Sequence, residues 1–224
     1  MNNITAFAIV AVSAVSHAAE VSISQKSLDE KIGRIAKHAQ FFPPQFGSQE
    51  ERKQIEAELK QVLVFLDLAL EQHPNETSLI YSHAFGNMMG HHLDFAGCDQ
   101  KAIASFEAFL KLRPESKGGN YFYGSFLAAT ATLNQQAIPY LKKAVTLGAP
   151  DAHLPLAKVY LITSDISNAK LHLKKYLEAF PNDERTKKFL AMVESPNFKV
   201  QRKEGSPPGF DGAASNEAQI KNKK

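Results

Sequence analysis

Met89-Gly90-His91-His92-Leu93 and Leu156-Ala157-Lys158-Val159-Tyr160 share one step: an aliphatic residue, a small one beside it, and a bulky one three places on. From the first, the chain passes Gly97, Ala102, Phe106 and Phe109 to reach Pro114. From the second it passes Ala169, Leu173 and Tyr176 to reach Pro181. Both walks cover 25 residues. A third walk, from Tyr123-Gly124-Ser125-Phe126-Leu127 through Ala137, Leu141 and Ala144 to Pro150, is slightly longer. A period in the mid-thirties reads as stacked helix pairs, since one pair cannot bury its own apolar face. The small residues have a packing reason. Two helices approach closely only where a side chain is missing, which explains Gly90, Gly124 and Ala157 on the first helices, and Ala102, Ala137 and Ala169 serve the same purpose on the second.

Working outward, the first helices are predicted over about 77–95, 119–132 and 152–163, and the second helices over about 99–112, 135–147 and 167–180. A short final helix over 184–194 carries Phe189, Leu190 and Val193 inward, with Arg185, Lys187 and Lys188 as a polar cap on the stack. Upstream, Leu28, Ile32, Ile35 and Ala39 recur at helical spacing until Phe41-Phe42-Pro43-Pro44 stops the helix. Ser48 and Glu51 form a capping box that opens a long helix ending near His73-Pro74. These two helices, within residues 19–76, are read as an N-terminal cap. The Phe41–Phe46 stretch is read as an apolar plug between them, with a lid over the first repeats or a partner anchor as the alternative. Residues 77–195 then hold three helix pairs and the capping helix. The fold class is all-α, a right-handed superhelix of stacked antiparallel pairs.

Both ends differ from this pattern. Ile4 to Val15 is apolar and small, and Ser16-His17-Ala18 follows with small residues where a signal peptidase reads them. Residues 1–18 are therefore predicted to be an export signal, cleaved after Ala18, and the run is too short to span a bilayer. The expected location is periplasmic or secreted. Cys98 is the only cysteine, which rules out an internal disulfide. Beyond Pro196 the periodicity fails, and residues 196–224 are predicted to be disordered. The net charge is +3, and six basic against three acidic residues in 197–224 account for it. The body is balanced, which argues against a nucleic-acid partner.

The residues Met89, Gly90, Leu93, Gly97, Ala102, Phe106 and Pro114, and again Leu156, Ala157, Tyr160, Ala169 and Pro181, resemble the tetratricopeptide repeat. Sel1-like repeats are a near alternative. The resemblance covers about 77–195. It departs from the family where Gly86 replaces an aromatic and where Phe109 and Tyr176 replace a second-helix alanine. It implies a protein or peptide partner held on a concave groove lined by the first helices. That assigns Asn87, His91 and Asp94, then Tyr121, Ser125 and Ala128, then Leu154, Lys158 and Leu161 to the groove.

The sharpest polar cluster, His83, His91, His92, Asp94 and Cys98, offers metal-ligand types. Asp94 lies three residues from His91 on the same helical face, and Cys98 about one turn beyond Asp94. A periplasmic metal-binding protein using His91, Asp94 and Cys98 is therefore the alternative function. No cofactor is expected. No Gly-rich phosphate loop, serine elbow or paired-carboxylate motif is present, so the chain is not expected to be an enzyme.

Overall fold

The computed structural model describes residues 6–9, 21–130 and 133–199. The predicted tail beyond Lys199, and the export signal apart from Ala6–Ile9, lie outside them. Two short strands, β1 (Ala6–Ile9) and β2 (Val21–Ser24), pair antiparallel with Ala6 opposite Ser24 and Ile9 opposite Val21. Cleavage after Ala18 would remove β1. All other regular structure among the described residues is helical.

The chain divides between Arg113 and Pro114 into two compact units. The first contains β1, β2, α1 (Gln25–Ala39), α2 (Gln49–Gln72), α3 (Thr77–His92) and α4 (Cys98–Leu112). Its core is Leu28 and Ile35 of α1, Leu59 and Leu66 of α2, Leu79, Met88 and Met89 of α3, and Phe106 of α4, all essentially inaccessible to solvent. The predicted cap is thus not separate from the first helix pair. Both α1 and α2 pack against α3, and the Arg34 guanidinium bonds the Glu58 carboxylate across α1 and α2.

The second unit contains α5 (Lys117–Ala129), α6 (Ala137–Thr146), α7 (His153–Ile162), α8 (Ile166–Ala179) and α9 (Glu184–Glu194). Single 3-10 turns at Asn134–Gln136 and Pro150–Ala152 lead into α6 and α7. Its core is Tyr123, Phe126, Leu127, Leu141, Leu156 and Leu173, and Val193 of α9 closes one end.

Three turns repeat one local device. His73, Arg113 and Phe180 each follow a helix with φ near −130° and ψ near 62° (−129/61, −134/62 and −126/65). A proline follows each (Pro74, Pro114, Pro181), and proline drives the residue before it out of helical geometry. Two residues after each proline comes the N-cap of the next helix, Glu76, Ser116 or Asp183, whose side chain accepts a backbone N–H. At α2, Ser48 accepts from the Glu51 N–H as expected. The Glu51 carboxylate, however, reaches the Gly47 N–H at 2.6 Å, one residue before the cap.

The close helix crossings are real and can be located to the atom. A Cβ on Gly90 would lie 2.7 Å from Cys98 Sγ, and one on Gly124 would lie 2.7 Å from Leu141 Cγ and 3.1 Å from its backbone nitrogen. These distances bring α3 against α4 and α5 against α6. Ala102, Ala137, Ala157 and Ala169 are fully buried.

Candidate functional site

The first-helix positions do not form one uniform surface. On α3, Asn87 is 1% exposed and its Nδ2 donates to the His83 carbonyl at 2.9 Å, so it presents nothing to a docked chain. On α7, Leu161 is fully buried and belongs to the core. Both leave the predicted groove for the same reason: their helices are enclosed on more than one side. His91 is half-buried, its ring 6.2 Å from that of His92. His92 is buried and hydrogen-bonds the Ala39 carbonyl through Nδ1 at 2.7 Å, tying the end of α3 to the end of α1.

Asp94 is exposed, but its backbone does structural work. The Phe95 N–H bonds the Gly90 carbonyl and the Asp94 N–H bonds the His91 carbonyl. This is a Schellman C-cap with Asp94 in the left-handed position at φ 62°. Cys98 is buried, and burial pushes its thiol pKa up, so the thiolate needed to bind a metal or attack a substrate is disfavoured. Among the described residues no three His, Cys, Asp or Glu side chains gather as a metal site requires. His91, Asp94 and Cys98 therefore make no such centre.

The remaining candidates lie in the second unit. Tyr121 is half-buried, and burial chiefly, with Asp151 adding to it, pushes its phenol pKa up. Ser125, one turn along α5, is partly exposed as a residue although its Oγ is buried. Lys158 is solvent-exposed on α7, yet enough protein surrounds it that desolvation lowers its pKa, and Arg185 of α9 adds repulsion. Neither Lys158 nor Arg185 forms an ion pair among the described residues.

Two polar constellations were not legible beforehand. In the first unit His83 Nε2 lies 2.9 Å from Asp67 Oδ1 and its Nδ1 lies 2.7 Å from Ser105 Oγ. Because an ionised carboxylate only accepts, Nε2 carries the proton and Nδ1 accepts from the serine hydroxyl. Burial raises the Asp67 carboxyl pKa, but hydrogen bonds from Lys101 and His83 outweigh this and hold it below its ordinary value. Burial lowers the pKa of His83. The proton order is that of a nucleophilic triad. Acyl transfer also needs donors aimed at a developing oxyanion, and Ser105 sits in mid-α4, where the neighbouring backbone N–H groups are spent in the helix. What the relay accomplishes is to join α2, α3 and α4. Its members are 16 and 22 residues apart in sequence, and no local motif marks them.

In the second unit, His153 Nδ1 and His172 Nδ1 face each other at 2.7 Å, and the Tyr160 ring stacks on His172 at 5.4 Å between centroids. A third feature is the α1–α2 connection. Phe41 and Phe42 are 53% and 67% exposed, so they are not the buried plug expected of them. Only Phe46 is half-buried, stacked on His38 at 5.5 Å.

No family model matches the chain, and the searches of curated proteins and of solved structures likewise return no match.

Proposed function

We propose that the chain is an exported protein-interaction module. Its helix pairs form a tetratricopeptide-like array, and a peptide or partner segment docks on the exposed parts of the first helices. The reading draws on the recurrent proline turn and on the glycine-mediated crossings, which are the devices a stacked array needs. The observation that carries it is Lys158 on α7, exposed to solvent yet with its pKa lowered by burial first and by the charge of Arg185 second, and without an ion-pair partner among the described residues. Desolvating an ammonium costs stability, and a bound carboxylate would offset that cost through charge-assisted hydrogen bonds. The preferred occupant is therefore a peptide segment bearing acidic side chains. Tyr121 and Ser125 on α5 are candidate neighbours of such a segment.

The test compares wild type with Lys158→Ala/Arg185→Ala in cross-linking capture from the envelope fraction, with Lys187→Ala as a control for exposed charge. Matching circular dichroism and melting temperature ensure that only the surface differs. Partners recovered by wild type and by Lys187→Ala, and lost from the double variant, support the reading. Equal recovery by all three sinks it.

A further inference from the structure

We propose that His153 and His172 form a proton-operated latch between α7 and α8, closed near neutral pH and released by acid. The inference stands on the pair's geometry and does not depend on the docking reading.

With Nδ1 facing Nδ1 at 2.7 Å, only one hydrogen fits between the rings. In the neutral pair one ring donates its Nδ1–H and the other accepts with its Nδ1 lone pair, keeping its own proton on Nε2. The donor ring can take a proton on its free Nε2 without disturbing the bond, which then becomes charge-assisted. A second proton has only the acceptor's Nδ1 left to occupy. There it removes the lone pair that made the bond and sets two imidazolium rings against each other. One proton is tolerated and two open the contact.

The surroundings make the second proton costly. His153 is the first residue of α7, where the positive end of the helix dipole opposes a cation. From α6, Lys142 faces His172. From α8 itself, Lys175 acts on both rings and Glu178 acts on His153 in the opposite sense. From α7, Tyr160 covers one face of His172. Burial, then His153, then the two lysines depress the pKa of His172 to about 4, and burial chiefly lowers that of His153. The same two lysines argue against a metal ion between the rings.

The sign follows by linkage. An unfolded or opened histidine titrates near its ordinary value of ~6.5, so below that pH the open state binds more protons than the closed one. The contact is therefore fully stabilising above about pH 6.5 and is lost as the pH falls towards about 4.

Proton NMR of the two imidazoles in the intact wild-type chain tests this without any substitution. The latch requires two coupled steps, the second far below the ordinary histidine value, and α7 amide protection that falls by roughly tenfold or more between about pH 7 and pH 4.5 after correction for intrinsic exchange. In His172→Phe, which keeps an aromatic ring against Tyr160 but cannot be protonated, α7 protection must fall much less steeply over that range than in the wild type, leaving only the part due to His153 and the other buried histidines. Independent titration of both rings near ~6.5 would overturn the proposal. So would α7 protection in the wild type that does not change with pH, or protection in His172→Phe that falls as steeply as in the wild type.

Discussion

At the scale of the residue, type and spacing invited a functional reading of Asp94 that its backbone does not require. Asp94 at φ 62° and Ser164 at φ 63° both occupy the left-handed position of a Schellman cap, the place Gly148 takes after α6. An L-residue there costs ~1–2 kcal/mol, somewhat less for aspartate. Asp94 also puts a negative charge at the negative end of the α3 dipole, though Arg52 attracts it. Replacing either residue with glycine relieves the backbone, and the greater freedom of the unfolded chain returns part of the gain. Asp94→Gly and Ser164→Gly are each expected to stabilise the protein by ~0.5–1 kcal/mol in urea unfolding. A loss of stability on Asp94→Gly would mean that its carboxylate makes tertiary interactions worth more than the strain, and would return Asp94 to the list of working side chains. Asn87 and Leu161 teach the complementary point. Position on a first helix was readable, but whether that face meets solvent depends on neighbours that no local pattern encodes.

At the scale of the element, far more was legible. The Met89-Gly90 and Leu156-Ala157 steps, the alanines of the second helices and the prolines placed α3 to α8 close to where they lie, because caps and prolines act through adjacent atoms. The ends that differ have local causes. Helix α3 stops at His92 because Asp94 turns the chain left-handed, and α6 and α7 begin two residues and one residue late behind 3-10 entries. The tight crossings give a contrast that can be measured. Alanine favours a helix over glycine by ~1 kcal/mol, while overpacking costs ~1–3 kcal/mol. At Gly124 the added Cβ meets Leu141 Cγ and also its backbone nitrogen, so α5 and α6 must separate. Gly124→Ala should lower stability by ~1–2 kcal/mol net. At Gly90 the closest obstacle is Cys98 Sγ, the tip of a side chain. Gly90→Ala should destabilise the wild type yet be neutral or favourable when Cys98 is already alanine, a coupling of ~1 kcal/mol in a double-mutant cycle. Additive effects would show that Leu63, whose Cδ1 lies 3.4 Å from the new Cβ, or the backbone sets the limit instead.

At the scale of the whole molecule, the all-helical architecture could be read from periodicity, but the division at Arg113 and Pro114 could not. The proline there is one of three equivalent ones. What marks the division is the packing of α1 and α2 onto α3, a set of long-range contacts between helices that each look self-sufficient in sequence. The same long-range burial decides the protein's response to acid. His83 and His92 in the first unit, and His153 and His172 in the second, all have their pKa values lowered, with burial the leading cause in each. Each is held neutral in the fold and takes up a proton more readily when unfolded, so each withdraws stability as the pH drops below ~6.5. The depressed carboxylates Glu58, Asp67, Asp165, Asp183 and Glu194 have the opposite history. Their contribution is intact above ~4 and disappears only below it, and exposed pairs contribute little in any case. The urea midpoint should therefore begin to fall between about pH 7 and pH 5, well before the carboxylates titrate. Because desolvation rather than ion pairing drives that first loss, it should persist when salt is raised from ~0.1 M to ~1 M, whereas any further loss below about pH 4 should shrink. A midpoint that stays flat down to about pH 4.5, or an early decline abolished by salt, would assign the acid response to surface ion pairs and not to the four buried or half-buried histidines.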